Sequence, residues 1–368
     1  MSRSVPAVVL GGSGYVAGEV VRLLAAHPGF DLAAVVSESR AGTPVAESFP
    51  HLAGTIDGLD FADFSALAAV FADAARELRP CALISAAPHG ASAALVARAL
   101  ELAERAGVNL SVVDLSADFR FSDEGEYAAV YGQPHPAPEL LPRFVRALPE
   151  HLPLGEPMVR ENVESIWVAH PGCFTTAVLL AVVPLLAEGL ASPRFAVTAI
   201  TGSTGSGRGL SEKTHHPARR SNVAAYSPLA HRHAPEMAAL AGEASGIRPE
   251  IDFVPLSGPQ ARGIYACVQG RLAESSKPAA AGKIAAALNS FYAECPFVSV
   301  VEAPPALTDV VGTNRARSGV ASAGGSFAIT VAIDNLVKGA AGGGVQWLNR
   351  IHGFEETTGL GAASLGWF

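Results

Sequence analysis

The chain has 368 residues, 49% hydrophobic and 16% charged, with a net charge of −8. That length exceeds one ordinary core and sets an expectation of two domains. The composition excludes a disordered chain, no basic block argues for nucleic-acid binding, and no apolar run reaches the about 18 residues of a membrane span. Cys81, Cys173, Cys267 and Cys295 form no CxxC pair and no zinc spacing, and the start MSRSVPAVVLGGSG has no signal-peptide pattern. A cytoplasmic enzyme with reduced thiols and no metal is the expectation.

Val5 to Leu10 reads as a strand, and Glu19 to Ala26 as a helix. Between them lies Gly11-Gly12-Ser13-Gly14-Tyr15-Val16-Ala17-Gly18, in which Gly12, Gly14 and Ala17 fit G-x-G-x-x-A. Strand, glycine turn, helix is the context a dinucleotide fingerprint needs. Glycines let the backbone approach a pyrophosphate, and the helix start supports its charge. Gly11, Gly12, Ser13, Gly14, Tyr15 and Val16 are the candidate cradle; a plain turn is the competing reading.

Leu32 to Val36 is a second strand, followed by Ser37-Glu38-Ser39-Arg40. An acid at this strand's end takes the ribose hydroxyls in NAD-binders. Here Ser37, Ser39 and Arg40 surround the one acid, a set suited to a 2′-phosphate, so NADP is expected; a solvated loop is the alternative. Phe61 to Leu78 reads as an amphipathic helix, Cys81 to Ala86 as a strand and Ala91 to Ala106 as a helix. Pro88 and His89 fall at that strand's carboxyl end, where cofactors bind, though His89 could equally be a cap. The strand Asn109 to Leu115 leads to Asp118 and Arg120. Arg120 could fork onto a carboxylate or phosphate, or simply pair with Asp118. Glu124 to Pro157, rich in proline and aperiodic, reads as a long loop.

A short strand, Ile166 to Ala169, delivers His170-Pro171-Gly172-Cys173, and an apolar run follows from Ala177 to Ala187. Pro-Gly punctuates a turn, so Cys173 falls at a helix N-terminus. There the dipole and open amides favour the nucleophilic thiolate. A buried structural cysteine is the alternative. The strand Arg194 to Thr201 runs into Gly202 to Gly209, whose amides at Ser203 and Gly205 could form an anion nest, or only a flexible loop. His231-Arg232-His233-Ala234-Pro235-Glu236 opens a helix through Leu240. The two histidines suit acid/base work and Arg232 an anion clamp, ahead of metal binding.

Strands at Ile251 to Val254, Gly263 to Arg271 and Gly325 to Ile333, with a helix from Pro278 to Glu294, give a mixed α+β second domain. Asp334-Asn335 starts a last helix to about Ile351, whose Ala and Gly residues suit close packing on the first domain.

GGSGYVAGE, APHG at 87–90, DLSADFR at 114–120, HPGCFTTA at 170–177, HRHAPE at 231–236, GTN at 312–314 and IDNLVKGAAGGGVQ at 333–346 occur in order. Through them nearly the whole chain resembles the N-acetyl-γ-glutamyl-phosphate reductases of the semialdehyde dehydrogenase superfamily. The resemblance implies an α/β, Rossmann-type NADP domain (1–170, completed by 335–368) and an α+β catalytic and oligomerisation domain (171–334), with the C-terminal helix returning to the first. It implies Cys173 as nucleophile, His233 as acid/base, His231 as substrate-binding, Arg120 on the substrate's carboxylate and Asn335 near the nicotinamide. A homodimer or homotetramer acting on a small acyl phosphate is expected. His170 with Phe174-Thr175-Thr176, and the long 133–150 segment, depart from the usual pattern. The 133–150 segment, together with Thr214-His215-His216-Pro217, is similar to lysine-branch relatives that reduce an aminoadipyl phosphate blocked by a small acidic amino-group carrier protein, which Arg219 and Arg220 could meet. Other readings are a Cys/His hydrolase, for which the 11–18 fingerprint has no use, a nucleotide-sensing module with a dead site, and an aspartate-semialdehyde dehydrogenase.

Overall fold

The computed structural model describes residues 4–152, 165–273 and 280–366. Residues 153–157 of the expected loop, 278–279 of the expected helix, and 1–3 and 367–368 of the first domain lie outside the described residues. The chain divides into two units. Among the described residues, one takes those up to Pro149, 165–170 and 341–361; the other takes 150–152, 171–273, 280–340 and 362–366.

The first unit is built on a seven-stranded sheet, all of whose pairings are parallel. Its strands are β1 (Val5–Leu10), β2 (Phe30–Val36), β3 (Phe61–Ala62), β4 (Cys81–Ser85), β5 (Leu110–Asp114), β6 (Phe144–Arg146) and β7 (Trp167–Ala169), in the order β3-β2-β1-β4-β5-β7-β6. Every residue of β1, β4 and β5 is buried, as strands of a parallel sheet covered on both faces must be. Helices α1 (Tyr15–Ala25), α2 (Val45–Ser48), α3 (Ala66–Arg76), α4 (Ser92–Ala106) and α5 (Glu124–Tyr131) complete the crossovers and the excursion after β5. Because β2 and β4 flank β1 on opposite sides, the strand order reverses there, and the carboxyl ends of β1 and β4 are where a sheet of this kind places its ligand.

Two expectations need correction. The helix expected over Phe61 to Leu78 starts only at Ala66. Phe61 and Ala62 pair with Val35 and Val36, and Asp63 Oδ1 accepts from the Ser65 amide and hydroxyl at 2.8 and 2.5 Å, a turn that separates strand from helix. The loop expected from Glu124 contains α5, a 3₁₀ stretch Pro138–Arg143 and β6. Asp123 caps α5 by accepting from the Glu126 amide at 2.9 Å, and Gly132 closes it at φ +72°. Phe144 then stacks on Phe119, ring centroids 3.9 Å apart.

The second unit centres on α6 (Cys173–Ala187), buried from Phe174 to Leu186. It lies on one face of a mixed sheet with α8 (His233–Ser245) and α9 (Ala280–Phe291); the short α7 (His216–Arg219) sits in the loop after β8. The strands are β8 (Ala191–Thr201), β9 (Ala224–Ala225), β10 (Glu250–Ser257), β11 (Ile264–Leu272), β12 (Val298–Val301), β13 (Ala316–Ala323) and β14 (Ser326–Ile333), ordered β12-β13-β14-β11-β8-β10-β9. Gly324 and Gly325, at φ +55° and +77°, make the tight β13–β14 turn. β9, β12 and β13 were not foreseen. Pro184 sits inside α6 and leaves the Leu180 carbonyl without its helical donor. The Tyr292 hydroxyl supplies one at 3.1 Å.

The single last helix expected from Asp334 divides. Val337–Ala341 is a π turn, and α10 (Gly342–Ile351) belongs to the first unit, packed on α1 and β5. A Cβ on Gly343 would lie 2.3 Å from the His170 ring, so glycine is what lets α10 pass that buried histidine.

Candidate functional site

In the first unit, Gly11 follows β1 at φ +73°, and a Cβ on it would lie 2.4 Å from the Ala87 Cα in the loop after β4. A Cβ on Gly12 would lie 2.5 Å from Val35. Above Gly14 there is open space: a Cβ would meet nothing within 4 Å. Gly14 is the N-cap of α1 and no side chain caps that helix start, so the first-turn amides at Tyr15 and Val16 remain for a ligand. A cradle of this shape and polarity fits a pyrophosphate. Ser37 is buried at the end of β2, while Ser39, Arg40 and Pro88 are exposed. Glu38 accepts from the Phe64 amide at 3.1 Å, which draws that acid toward the chain rather than toward a ribose.

The carboxyl ends of β4, β5 and β7 carry a second polar cluster. The Asp114 carboxyl accepts from the Ser92 and Ser116 hydroxyls at 2.6 and 2.7 Å, and burial pushes its pKa up to about 6. Asp118 accepts from His89 Nδ1, the Gly90 amide and the Ala93 amide at 2.7, 2.8 and 3.0 Å. Despite burial, those bonds hold its pKa below the usual carboxylate value. Arg120, 7% exposed, donates from Nε to the His170 carbonyl and from Nη2 to the Leu115 carbonyl, both at 2.9 Å. These bonds make it a brace for the end of β7, whereas the resemblance implied a hold on substrate.

In the second unit, Cys173 is the first residue of α6 and is half-buried. Its N-cap, Gly172, has no side chain, and its amide donates to Glu236 Oε1 at 2.7 Å. The amides of a helix's first turn have no acceptor within the helix, and a sulfur at that turn is in the setting that favours thiolate and holds an oxyanion. The ring of Phe174 contacts the rings of His231 and His233, each with centroids 5.9 Å away, and the two histidine rings are 4.8 Å apart. The His233 amide donates to His231 Nδ1 at 3.2 Å. His231 is therefore the Nε2–H tautomer, and burial, then the Arg232 charge, lower its pKa to about 4. It is a neutral donor at physiological pH. His233 is 8% exposed, and its Nε2 lies 4.0 Å from Glu236 Oε2. Glu236, fully buried, thus faces both the nucleophile's helix and the histidine.

Two further groups were not singled out by the sequence. Tyr226 packs on His231, ring centroids 5.4 Å apart. Burial, then the charge of the Cys173 sulfur, push its phenol up, so it stays a donor beside that sulfur. Gly339 touches Cys173: a Cβ there would lie 2.7 Å from the cysteine Cβ.

The glycine loop is a correction. The amides of Ser203, Thr204 and Gly205 donate to the carbonyls of Gln260, Ala261 and Gly202 at 3.0, 3.1 and 3.2 Å, so Ser203 and Gly205 form no nest of open amides. Asn335 ties this loop down: its Nδ2 donates to Thr204 Oγ1 at 3.1 Å, and its Oδ1 accepts from the Gly263 amide at 2.7 Å. Arg232 is exposed; Arg219 turns inward, donating to the Thr201 carbonyl at 3.3 Å, while Arg220 is exposed. Among the described residues no group of three His, Cys, Asp or Glu could hold a metal ion, and no helix is long and apolar enough to cross a membrane.

Residues 6–151 match the family described as semialdehyde dehydrogenase, NAD binding domain, and residues 173–335 match semialdehyde dehydrogenase, dimerisation domain. A nucleotide cradle on one and a cysteine–histidine site on the other define the semialdehyde dehydrogenase class. The N-acetyl-gamma-glutamyl-phosphate reductase of Azotobacter vinelandii is 38% identical over 97% of this chain and 98% of its own length. That of Pseudomonas aeruginosa is 36% identical over 97% and 98%. The chain belongs to the N-acetyl-gamma-glutamyl-phosphate reductase family. The fold is shared with solved structures: aspartate semialdehyde dehydrogenase II of Vibrio cholerae, complexed with ASA (TM-score 0.66, 15% identity, 95% of this chain and 99% of that one), and the Candida albicans aspartate semialdehyde dehydrogenase with NADP (TM-score 0.61, 16% identity, 95% and 98%).

Proposed function

We propose that the chain reduces N-acetyl-γ-glutamyl phosphate to N-acetylglutamate 5-semialdehyde and phosphate with NADPH, in arginine biosynthesis. The observation that carries this is Cys173 at the start of α6, its cap held by Glu236 and its neighbour Phe174 against His231 and His233, on a chain 38% identical to a reductase of that name.

The Cys173 thiol gives its proton to His233 as the sulfur attacks the acyl carbonyl. A C–S bond forms, the C–O bond to phosphorus breaks, and the proton leaves on the departing phosphate. First-turn amides of α6 hold the oxyanion, a contact worth about 3–4 kcal/mol in the transition state. His231 and Tyr226, both neutral donors, orient the substrate's oxygens, and Arg232 draws in its phosphate. When bound, NADPH supplies the hydride that reduces the thioester carbon. Cys173 then departs as thiolate, aldehyde is released, and one solvent proton taken up through His233 restores the thiol.

The first-unit cradle at Gly11 to Val16 holds the cofactor's pyrophosphate in this reading, with Ser37, Ser39 and Arg40 at the 2′-phosphate and Pro88 nearby. The dimerisation-domain match supports a homo-oligomer, a homodimer or homotetramer that sedimentation would separate. The four cysteines, none of them in a disulfide, suit a reducing cytoplasm. A carrier-linked aminoadipyl or glutamyl phosphate is the competing substrate. The inward turn of Arg219 weighs against docking a carrier there.

The test is the reverse reaction, with N-acetylglutamate semialdehyde, phosphate and NADP⁺ followed by absorbance of the reduced cofactor. Turnover should require phosphate, exceed that with the one-carbon-longer, carrier-linked aldehyde, and vanish in Cys173→Ala with cofactor binding intact. Phosphate-dependent oxidation by Cys173→Ala would overturn the assignment of the nucleophile.

A further inference from the structure

The core of the second unit contains an ion pair. Lys338 Nζ lies 2.5 Å from Glu150 Oε1, with side chains 0% and 1% exposed. The ammonium also stands 5.8 Å from the Phe297 ring centroid. Beside the pair, His151 and the Tyr292 hydroxyl are 3.1 Å apart, and that hydroxyl reaches the Leu180 carbonyl of α6. Two charges in such a setting add little stability over an apolar pair of equal volume, because desolvation offsets their attraction. What a buried ion pair does supply is register: moving either partner pulls two buried charges apart, which is costly.

Lys338 lies in the π turn Val337–Ala341, a rare geometry that concentrates at functional sites. The next residue, Gly339, donates its amide to the Asp334 carbonyl five residues back at 3.0 Å. Gly339 is also the residue that touches Cys173, where a Cβ would fall 2.7 Å from the cysteine Cβ and 3.1 Å from its Cα. On the far side the strap is fixed by Asp334. Its carboxylate takes the Arg262 fork at 3.1 and 3.2 Å and the amides of Gly312, Leu336 and Val337 at 2.7 to 2.9 Å. The segment 334–339 is thus fastened at two points ahead of its contact with Cys173, by Asp334 at its start and by Lys338 next to Gly339.

We infer that Glu150 and Lys338 are positioning residues for Cys173, setting its place at the α6 start through the strap whose Gly339 lies against it. The inference rests on the reading of Cys173 as nucleophile. It requires no contact of either charge with substrate. Loss of one charge leaves the other buried, the strap shifts to admit water, and the sulfur leaves its line of attack. A displacement of about 1 Å is enough for a loss on the order of 10²-fold.

The experiment compares Glu150→Gln, Lys338→Met and the neutral double variant. Steady-state kinetics are normalised to the Cys173 thiol titrated by a thiol-specific alkylating reagent, and the pH dependence of that alkylation is recorded. The single variants should lose kcat on the order of 10²-fold per titrated thiol with KM for NADPH unchanged, and their alkylation profiles should shift. The double variant should regain the wild-type melting temperature yet remain about tenfold or more below wild type in kcat. This separates position from folding, and it decides the matter even if a single variant fails to fold. Wild-type kcat and alkylation profile in the double variant, or in either single variant, would overturn the inference. Cys173→Ser, assayed alongside, keeps the two readings apart: its activity tests the nucleophile and is indifferent to the pair.

Discussion

Glu236 Oε1 accepts the Gly172 amide at 2.7 Å, joining the first turn of α8 to the cap of α6. The same carboxylate's other oxygen stands 4.0 Å from His233 Nε2. One buried anion therefore fixes the nucleophile's cap and favours the protonated histidine that forms during attack.

Glu236→Gln keeps an oxygen for the Gly172 amide and removes the charge. It should lower kcat on the order of tenfold to 10²-fold with little change in melting temperature. Glu236→Ala also leaves a buried amide unpaired, adding about 1–3 kcal/mol of destabilisation. Equal stability loss in the two variants, read by urea unfolding, would contradict this division of roles.

Much of this site was legible in the sequence because it is local. Pro171-Gly172 before an apolar run announces a helix start at Cys173, and the turn after Leu10 announces the cradle. Glu236 was legible only as a neighbour of the histidines, since its partner Gly172 lies 64 positions away. Lys338 and Glu150 are 188 apart, and each alone reads as an ordinary charge. The amides of Ser203 and Thr204 looked open because their acceptors, Gln260 and Ala261, come from a distant loop. Helix α5 is different: its Asp123–Glu126 cap was visible, but the prolines that follow masked it. Strands β12 and β13 are short or rich in Ala, Ser and Gly, so no alternation marked them.

Acid should weaken the fold through His231. Its pKa is about 4 in the folded chain, lowered by burial, against an unperturbed 6.5. Between those values the unfolded chain binds more protons, so stability is full above about pH 6.5 and falls as pH drops toward 4. The linkage amounts to at most about 2 kcal/mol between pH 7 and pH 5, less for the ring's partial exposure. His231→Gln should flatten that part of a stability–pH curve. An unchanged slope would show that protonation of His231 is not linked to unfolding.

Tyr292→Phe should be destabilising without touching chemistry. The Leu180 carbonyl, deprived of a helical donor by Pro184, would lose the hydroxyl that serves it. A buried acceptor left unpaired costs about 1–3 kcal/mol. Restoring the helical donor with Pro184→Ala in the Tyr292→Phe background should recover most of it. Failure of that rescue in urea unfolding would mean that the hydroxyl's bond to Leu180 is not its contribution.

Cofactor choice should depend on Arg40. It is exposed just past β2, beside Ser39, and Glu38 is held by the Phe64 amide rather than presented for ribose hydroxyls. A guanidinium there forks onto a 2′-phosphate but has no such partner on NADH. Arg40→Ala removes a charge-assisted pair of about 1.5–3 kcal/mol, so KM for NADPH should rise about 10- to 100-fold while that for NADH barely changes. Steady-state titration of both cofactors at fixed acyl phosphate measures the ratio. A parallel rise in both KM values would place Arg40 at the pyrophosphate or adenine, and unchanged values for both would leave it outside the cofactor site.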